Sequence, residues 1–413
     1  MDHRLTRRGF LKAAGLGGAT LLGAGGALAQ SPAPSGSPPT DAAAPVSSHL
    51  APRPIPTRPL GRTGVSVPML ALGGMFDTRS AQLYLRQTLA WGVTHWDTAD
   101  CYENGNSEEG FGRYFQRSPD DRAKVFLVSK SDSTEPAGMT ALLEQSLKRL
   151  STSYIDLYLL HGIRDAAVLT PEVKDWAARA KADGRIRHFG FSCHKRMDSL
   201  LEAAASLGWI DVVMTAVNYR LLADAKMSAA LEACRKAGVG VIAMKFKGGG
   251  PITPDDDAEA RMAAGFLKRG FTPEQAMLKA LWEHPAIATV CASMKSFGVL
   301  QEYVAAAFDK TTLAIDDRAA LQRFAADTHG TFCRACGACE EASGGAPVAD
   351  AMRCLMYESA YGDAHRARDA FRALPRRERA RLDGSNWTAA ELACPHGLPI
   401  GRLLADARSR FRK

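Results

Sequence analysis

From residue 69 onward the chain alternates between two textures. Short β-branched or apolar runs ("MLALGG", "THWDTA", "VFLVSK", "IDLYLLH", "RHFGFS", "DVVMTAV", "GVIAMK" and "IATVCAS") alternate with longer stretches such as "MTALLEQSLKRL" and "MSAALEACRKAG", where apolar residues recur three and four positions apart. The runs have the length of buried strands, and the stretches have the period of amphipathic helices. Eight such repeats in succession predict an α/β fold, a closed parallel (β/α)8 TIM barrel over residues 57 to 315 rather than an open doubly wound sheet. At its start, "TRPLGRTGVSVP" carries turn signals between short strands and predicts a hairpin plugging the barrel's bottom. Behind it, residues 316 to 413 read as a mainly helical extension that holds five of the nine cysteines.

The first 56 residues lack this alternation. Residues 1 to 29 pair Arg7 and Arg8 with a weakly apolar Gly/Ala/Leu stretch and end on the small-residue site Ala27-Leu28-Ala29, an arrangement that resembles a twin-arginine export signal. The stretch is short and glycine-rich for a bilayer span. The expectation is therefore passage through the twin-arginine translocon to the periplasm or beyond, with no membrane attachment after cleavage. Residues 30 to 56, rich in Pro, Ser and Ala and free of aromatics, read as a disordered tether.

Composition adds little to this picture. With 413 residues, 46% of them apolar, the chain has room for a large barrel and a smaller appendage. The formal charge of +8 falls once Arg4, Arg7, Arg8 and Lys12 leave with the signal, and the remaining basic residues are scattered. No nucleic-acid surface is expected.

In a barrel of this kind the C-terminal ends of the strands share one mouth, so the polar residues that end apolar runs are the candidate chemistry. Asp97 ends the second run, Tyr102 follows five residues later, Lys130 ends the third and His161 the fourth. A hydride added to a carbonyl carbon leaves an oxyanion that needs a proton donor beside it. A phenol can serve, and a neighbouring ammonium would pull its pKa down from about 10 toward working pH. Asp97 supplies the anionic partner that a buried Lys130 needs, and His161 can orient the substrate oxygen.

Together "GVTHWDTADCYENGNSEEGFG", "VSK" and "YLLH" resemble the catalytic segments of the aldo-keto reductase family. The resemblance implies Tyr102 as proton donor, Asp97 and Lys130 as its tuning pair, His161 as substrate-orienting residue, and NADPH or NADH as the hydride source. It also implies a cofactor path along Gly73, Gly74, Ser192, Asn218, Met244, Lys245 and Gly248 to Lys295, Ser296 and Glu302, with Lys295 and Ser296 meeting a 2′-phosphate. Met214 and Tyr303 stand where many members carry a glutamine and an asparagine.

Cys101, Cys193, Cys234 and Cys291 lie singly among apolar or small residues, and most of them are expected to be core thiols. The tail differs. In "CRACGACEEAS", Cys333, Cys336 and Cys339 fill the first three places of a bacterial ferredoxin run, Ser343 stands in the fourth, and Cys394-Pro395 follows downstream. The pair of runs resembles the ferredoxin-like extension of an aldo-keto reductase subgroup. In its crossed two-cluster arrangement, Cys333, Cys336, Cys339 and Cys394 hold one cluster, while Ser343, Gly384, Trp387 and Ala390 occupy the ligand positions of the other. One [4Fe-4S] cluster is expected, with zinc or no metal as alternatives, and Cys354 as a packed thiol. The overall expectation is an exported enzyme that reduces a small carbonyl substrate with a nicotinamide, or runs the reverse reaction on the alcohol, with a redox partner protein. The alternative is a periplasmic electron-transfer or binding protein on the same scaffold.

Overall fold

The computed structural model describes residues 54–249, 256–309, 312–384 and 386–412, with side chains from 256 to 261 outside the description. The expected export signal and residues 30 to 53 of the tether also lie outside the described residues. Among the described residues there are ten strands. A two-stranded antiparallel sheet pairs β1 (Thr57–Pro59) with β2 (Ser66–Pro68). The other eight are β3 (Leu70–Gly73), β4 (His95–Asp97), β5 (Phe126–Ser131), β6 (Ile155–Ile163), β7 (Ile186–Cys193), β8 (Val212–Ala216), β9 (Gly240–Met244) and β10 (Ile287–Ala292). They close in sequence order, β10 pairing with β3, as a parallel barrel. This is the predicted fold.

Period-two alternation along the strands explains why the barrel is filled. Val128, Leu157, Leu159, Val212, Met214 and Ile242 form one buried cluster, while the intervening Leu127, Tyr158, Leu160, Val213 and Val241 belong to another with the helices. Leu60 and Val67 of the hairpin join the interior cluster and are fully buried, so the hairpin closes the barrel's bottom as expected. Each such burial contributes about 1.5–3 kcal/mol. Helices cover the outside with the caps that their sequences carry. Thr170 accepts from Val173 N–H, Asp224 from Met227 N–H, and Thr272 forms a capping box with Gln275.

The same alternation places His95 and Asp97 two residues apart on β4. His95 is fully buried, and among the described residues neither ring nitrogen has a hydrogen-bond partner. Burial, with the nearby Lys130 ammonium, lowers its pKa to about 3. The imidazole is therefore neutral when folded but protonates near 6.5 when unfolded, so folding stability is intact above about pH 6.5 and declines as pH falls toward 3. His95→Leu is expected to make that decline shallower by up to about 1.4 kcal/mol per pH unit. Thermal melts from pH 7 to 4 check this, and parallel curves for the two proteins would refute it.

Beyond the barrel, helix Ile315–Asp327 adds Leu321 and Phe324 to the barrel's cluster, and Phe332 joins them. A second core then forms among helices Val348–Ser359, Ala364–Ala373 and Ile400–Phe411, built on Leu355, Phe371, Trp387, Leu404 and Phe411. Cys354 is buried in it as an ordinary packed thiol.

Candidate active site

The four expected catalytic residues meet at the barrel mouth. Lys130, only 1% exposed, places Nζ 2.8 Å from Asp97 Oδ1, and donates to Thr98 O at 2.6 Å and to the Tyr102 hydroxyl at 3.2 Å. The Tyr102 and His161 rings meet edge-on at 5.6 Å. His161 sits where the β6–β7 register shifts between Leu160 and Ile163, an irregularity of the kind that re-aims side chains.

Tyr102 is held by an unusual turn. Glu103 and Asn104 both adopt left-handed backbone angles, φ 51° and 56°, before Gly105 at φ 88°. That conformation costs non-glycine residues energy and persists only when the surroundings enforce it. Here Arg149 donates to Asp100 O at 3.0 Å and pairs with Glu108, which is fully buried and accepts from Ser129 Oγ at 2.6 Å. Helix Asn106–Arg117 lies so close to Arg149 that a Cβ on Gly112 would fall 1.9 Å from the Arg149 carbonyl.

The electrostatics depart from the sequence expectation in one respect. Burial raises the Tyr102 phenol above its ordinary value, and Lys130 offsets this only in part. Desolvation of the phenolate outweighs the ammonium. Lys130 loses solvation too, but Asp97 and Tyr102 more than compensate and keep it protonated. Burial pushes Asp97 up against the opposing pull of Lys130. The arrangement thus holds a protonated phenol beside a permanent cation, suited to giving a proton to a developing oxyanion.

Two residues beside the tetrad were not singled out from the sequence. Asp132 Oδ1 lies 2.5 Å from His161 Nδ1, and Asp100 is buried next to it. Cys101, one of the lone cysteines of which most were expected in the core, is exposed and brings Sγ to 3.5 Å from His161 Nδ1. Cys193 and Cys234 are buried as expected, whereas Cys291 is half-buried beside Gly73.

The residues implied for cofactor binding divide into two groups. Gly74 donates to Asp97 O at 2.7 Å, Ser192 Oγ accepts from Gly162 N–H at 2.8 Å, and Gly73 lies beside Cys291 on β3. Asn218 caps a short helix, Gly248 passes against its side chain, Met244 ends β9, and Asn218 and Lys245 line one cavity at the mouth. The second group has other partners. Ser296 caps helix Phe297–Phe308, Glu302 accepts from Thr272 Oγ1, and Lys295 Nζ pairs with Asp363 of the tail at 2.7 Å.

Lys295 is one of several barrel cations engaged by the tail. Lys245 lies 4.9 Å from the Tyr357 ring, and burial lowers its ammonium pKa, while Lys245 and Arg366 draw the Tyr357 phenol down against the effect of burial. Lys195 contacts Asp350 at 2.6 Å and Glu340 at 2.8 Å, and Arg164 reaches Asp350 at 3.6 Å. Burial pushes the Asp350 carboxyl up, but Arg353 and Lys195 outweigh it and hold it below the usual range. Met352, Arg353 and Met356 of the tail line the same cavity as Asn218 and Lys245. The helical extension therefore covers the mouth.

An adjoining cavity is walled by Cys333, Cys336, Cys339 and Cys394 together with His396. The chain brings the four expected sulfur ligands to one place, although Cys394 is far from the others in sequence. Burial raises the Cys333 and Cys339 thiols to about 12.

Comparison with known proteins agrees with the barrel. A family model for the Aldo/keto reductase family matches residues 69–325. The chain is similar to the NADP(+) aldo-keto reductase yakc of Schizosaccharomyces pombe, 28% identical over 52% of this chain and 71% of that protein. It is also similar to an aldo-keto reductase of Mycobacterium sp. (strain KMS), 36% identical over 31% of this chain and 47% of the relative, so some matches span about half of the relative's length. Among solved structures, thermostable aldo-keto reductase Tm1743 with the inhibitor epalrestat superposes at TM-score 0.54 and 26% identity, covering 65% of this chain and 99% of that one. Holo AKR11C1 of Bacillus halodurans shares the fold at TM-score 0.54 and 23% identity, over 65% of this chain and 96% of its own. On the match over residues 69–325, this chain belongs to the aldo/keto reductase family.

Proposed function

We propose that the protein is an exported, nicotinamide-dependent carbonyl reductase that also carries one [4Fe-4S] cluster. The observation that carries the catalytic reading is the simultaneous contact of Lys130 with Asp97 and with the Tyr102 hydroxyl. Bound NADPH or NADH supplies the hydride. Tyr102 then gives its proton to the substrate oxygen, Lys130 stabilises the phenolate left behind, Asp97 keeps Lys130 charged, and His161 orients the carbonyl.

Cys333, Cys336, Cys339 and Cys394 would hold the cluster, which supplies one-electron transfer or a structural crosslink. The four line one cavity, which lets them share a single inorganic group. The twin-arginine-like segment fits this reading, since that route carries folded proteins loaded with cofactor.

One observation favours the second reading, a periplasmic electron-transfer or binding protein. Asp363 and Tyr357 of the tail engage Lys295 and Lys245, two residues implied for nicotinamide binding. Protein purified anaerobically, with iron and acid-labile sulfide measured, distinguishes the two readings. The reductase reading expects about four irons per chain and NADPH or NADH oxidation with a panel of aldehydes and ketones. A full cluster with neither nicotinamide bound nor oxidised overturns it in favour of the second reading.

A further inference from the structure

We propose that Asp100, Cys101, Asp132 and His161 form a zinc-class divalent metal site on the rim of the barrel mouth. The inference does not depend on the nicotinamide reading. Each residue offers one ligand atom, and the four atoms all lie within 4.8 Å of one another. His161 Nδ1 is 2.5 Å from Asp132 Oδ1 and 3.5 Å from Cys101 Sγ. Thiolate, imidazole and carboxylate donors together select a borderline-soft ion such as Zn²⁺ and disfavour Ca²⁺ or Mg²⁺, which take oxygen ligands.

A second observation separates this group from a chance gathering of surface acids. Asp100 is 8% exposed, and its Oδ1 is buried with no hydrogen-bond partner among the described residues. A buried carboxylate oxygen without a partner carries a desolvation cost that a bound cation would remove.

The Cys101 thiol proton and any proton on His161 Nδ1 leave to solvent, and the metal takes their places. With Nδ1 committed, Nε2 is the ring nitrogen left to carry a proton toward a substrate, so the ion would act as a positioning element for His161. The imidazole is then fixed in one tautomer, the role that ligand-side partners of a histidine commonly play.

The test uses the full-length protein with its iron content verified, after dialysis against a mild chelator, so that the tail cysteines are equally filled in every sample. Zn²⁺ is titrated against a chromogenic chelator and Co²⁺ is followed by its thiolate charge-transfer absorption, in wild type, Cys101→Ser and Asp132→Asn. Asp132 has a side chain 49% exposed, which makes its variant safe for the fold. Wild type is expected to bind one zinc more than Cys101→Ser, the cobalt–thiolate band is expected to vanish in that variant, and Asp132→Asn is expected to weaken zinc by at least about tenfold. Equal zinc uptake and an unchanged cobalt spectrum in Cys101→Ser, or less than a threefold weakening in Asp132→Asn, overturns the proposal.

Discussion

Tyr102→Phe is expected to cut carbonyl reduction by about 10² to 10⁴-fold while leaving the melting temperature and nicotinamide affinity close to those of wild type. Only one oxygen is lost, and its recorded partner, Lys130, keeps its contacts with Asp97 and the Thr98 carbonyl, so no buried charge is stranded. Lys130→Met makes the contrast. It removes the same activity, but it also leaves the Asp97 carboxylate, 3% exposed, without its counter-ion, and breaking a buried pair from one side costs about 3–5 kcal/mol. Steady-state kinetics, cofactor titration and thermal melts on the two variants separate chemistry from structure. Retained turnover in Tyr102→Phe would remove the phenol from the mechanism.

Lys195→Met is expected to free the tail from the mouth. Its ammonium bridges Glu340 and the 1%-exposed Asp350, which afterwards keeps only Arg353 and the more distant Arg164. Because Asp350 keeps two cations, the loss is expected to fall below the buried-pair range of about 3–5 kcal/mol. Hydrogen exchange over residues 338–411 is expected to accelerate while the barrel strands keep their protection. Affinity for NADPH is expected to rise at the same time, since Lys295 is then released from competition with Asp363. Unchanged tail protection in the variant would show that the apolar contacts alone hold the tail in place.

The barrel was legible because its strands end where their apolar runs end, and Asp97, Lys130 and His161 stand at those ends. The hairpin was legible from its turn residues. What the sequence did not show depends on three-dimensional enclosure. A neighbouring lysine is visible along the chain, but the desolvation that outweighs it at Tyr102 is not. Asp100 and Asp132 look like any solvated acid near a loop until the barrel closes and points them at His161. Lys295 resembles a phosphate ligand by position, yet its observed partner, Asp363, comes from a segment whose docking no periodicity records.

The cysteine cavity has a wall made by two segments that leave the ribosome at very different times, Cys333 to Cys339 first and Cys394 to Ile400 much later. The second core has the same character, because Leu404 and Phe411 pack against Leu355 and Phe371. The barrel can therefore close during synthesis, whereas the tail and its cysteine cavity assemble only once that last helix has emerged. Any inorganic group carried there is loaded as a finishing step, which makes its presence a natural mark of a completed chain.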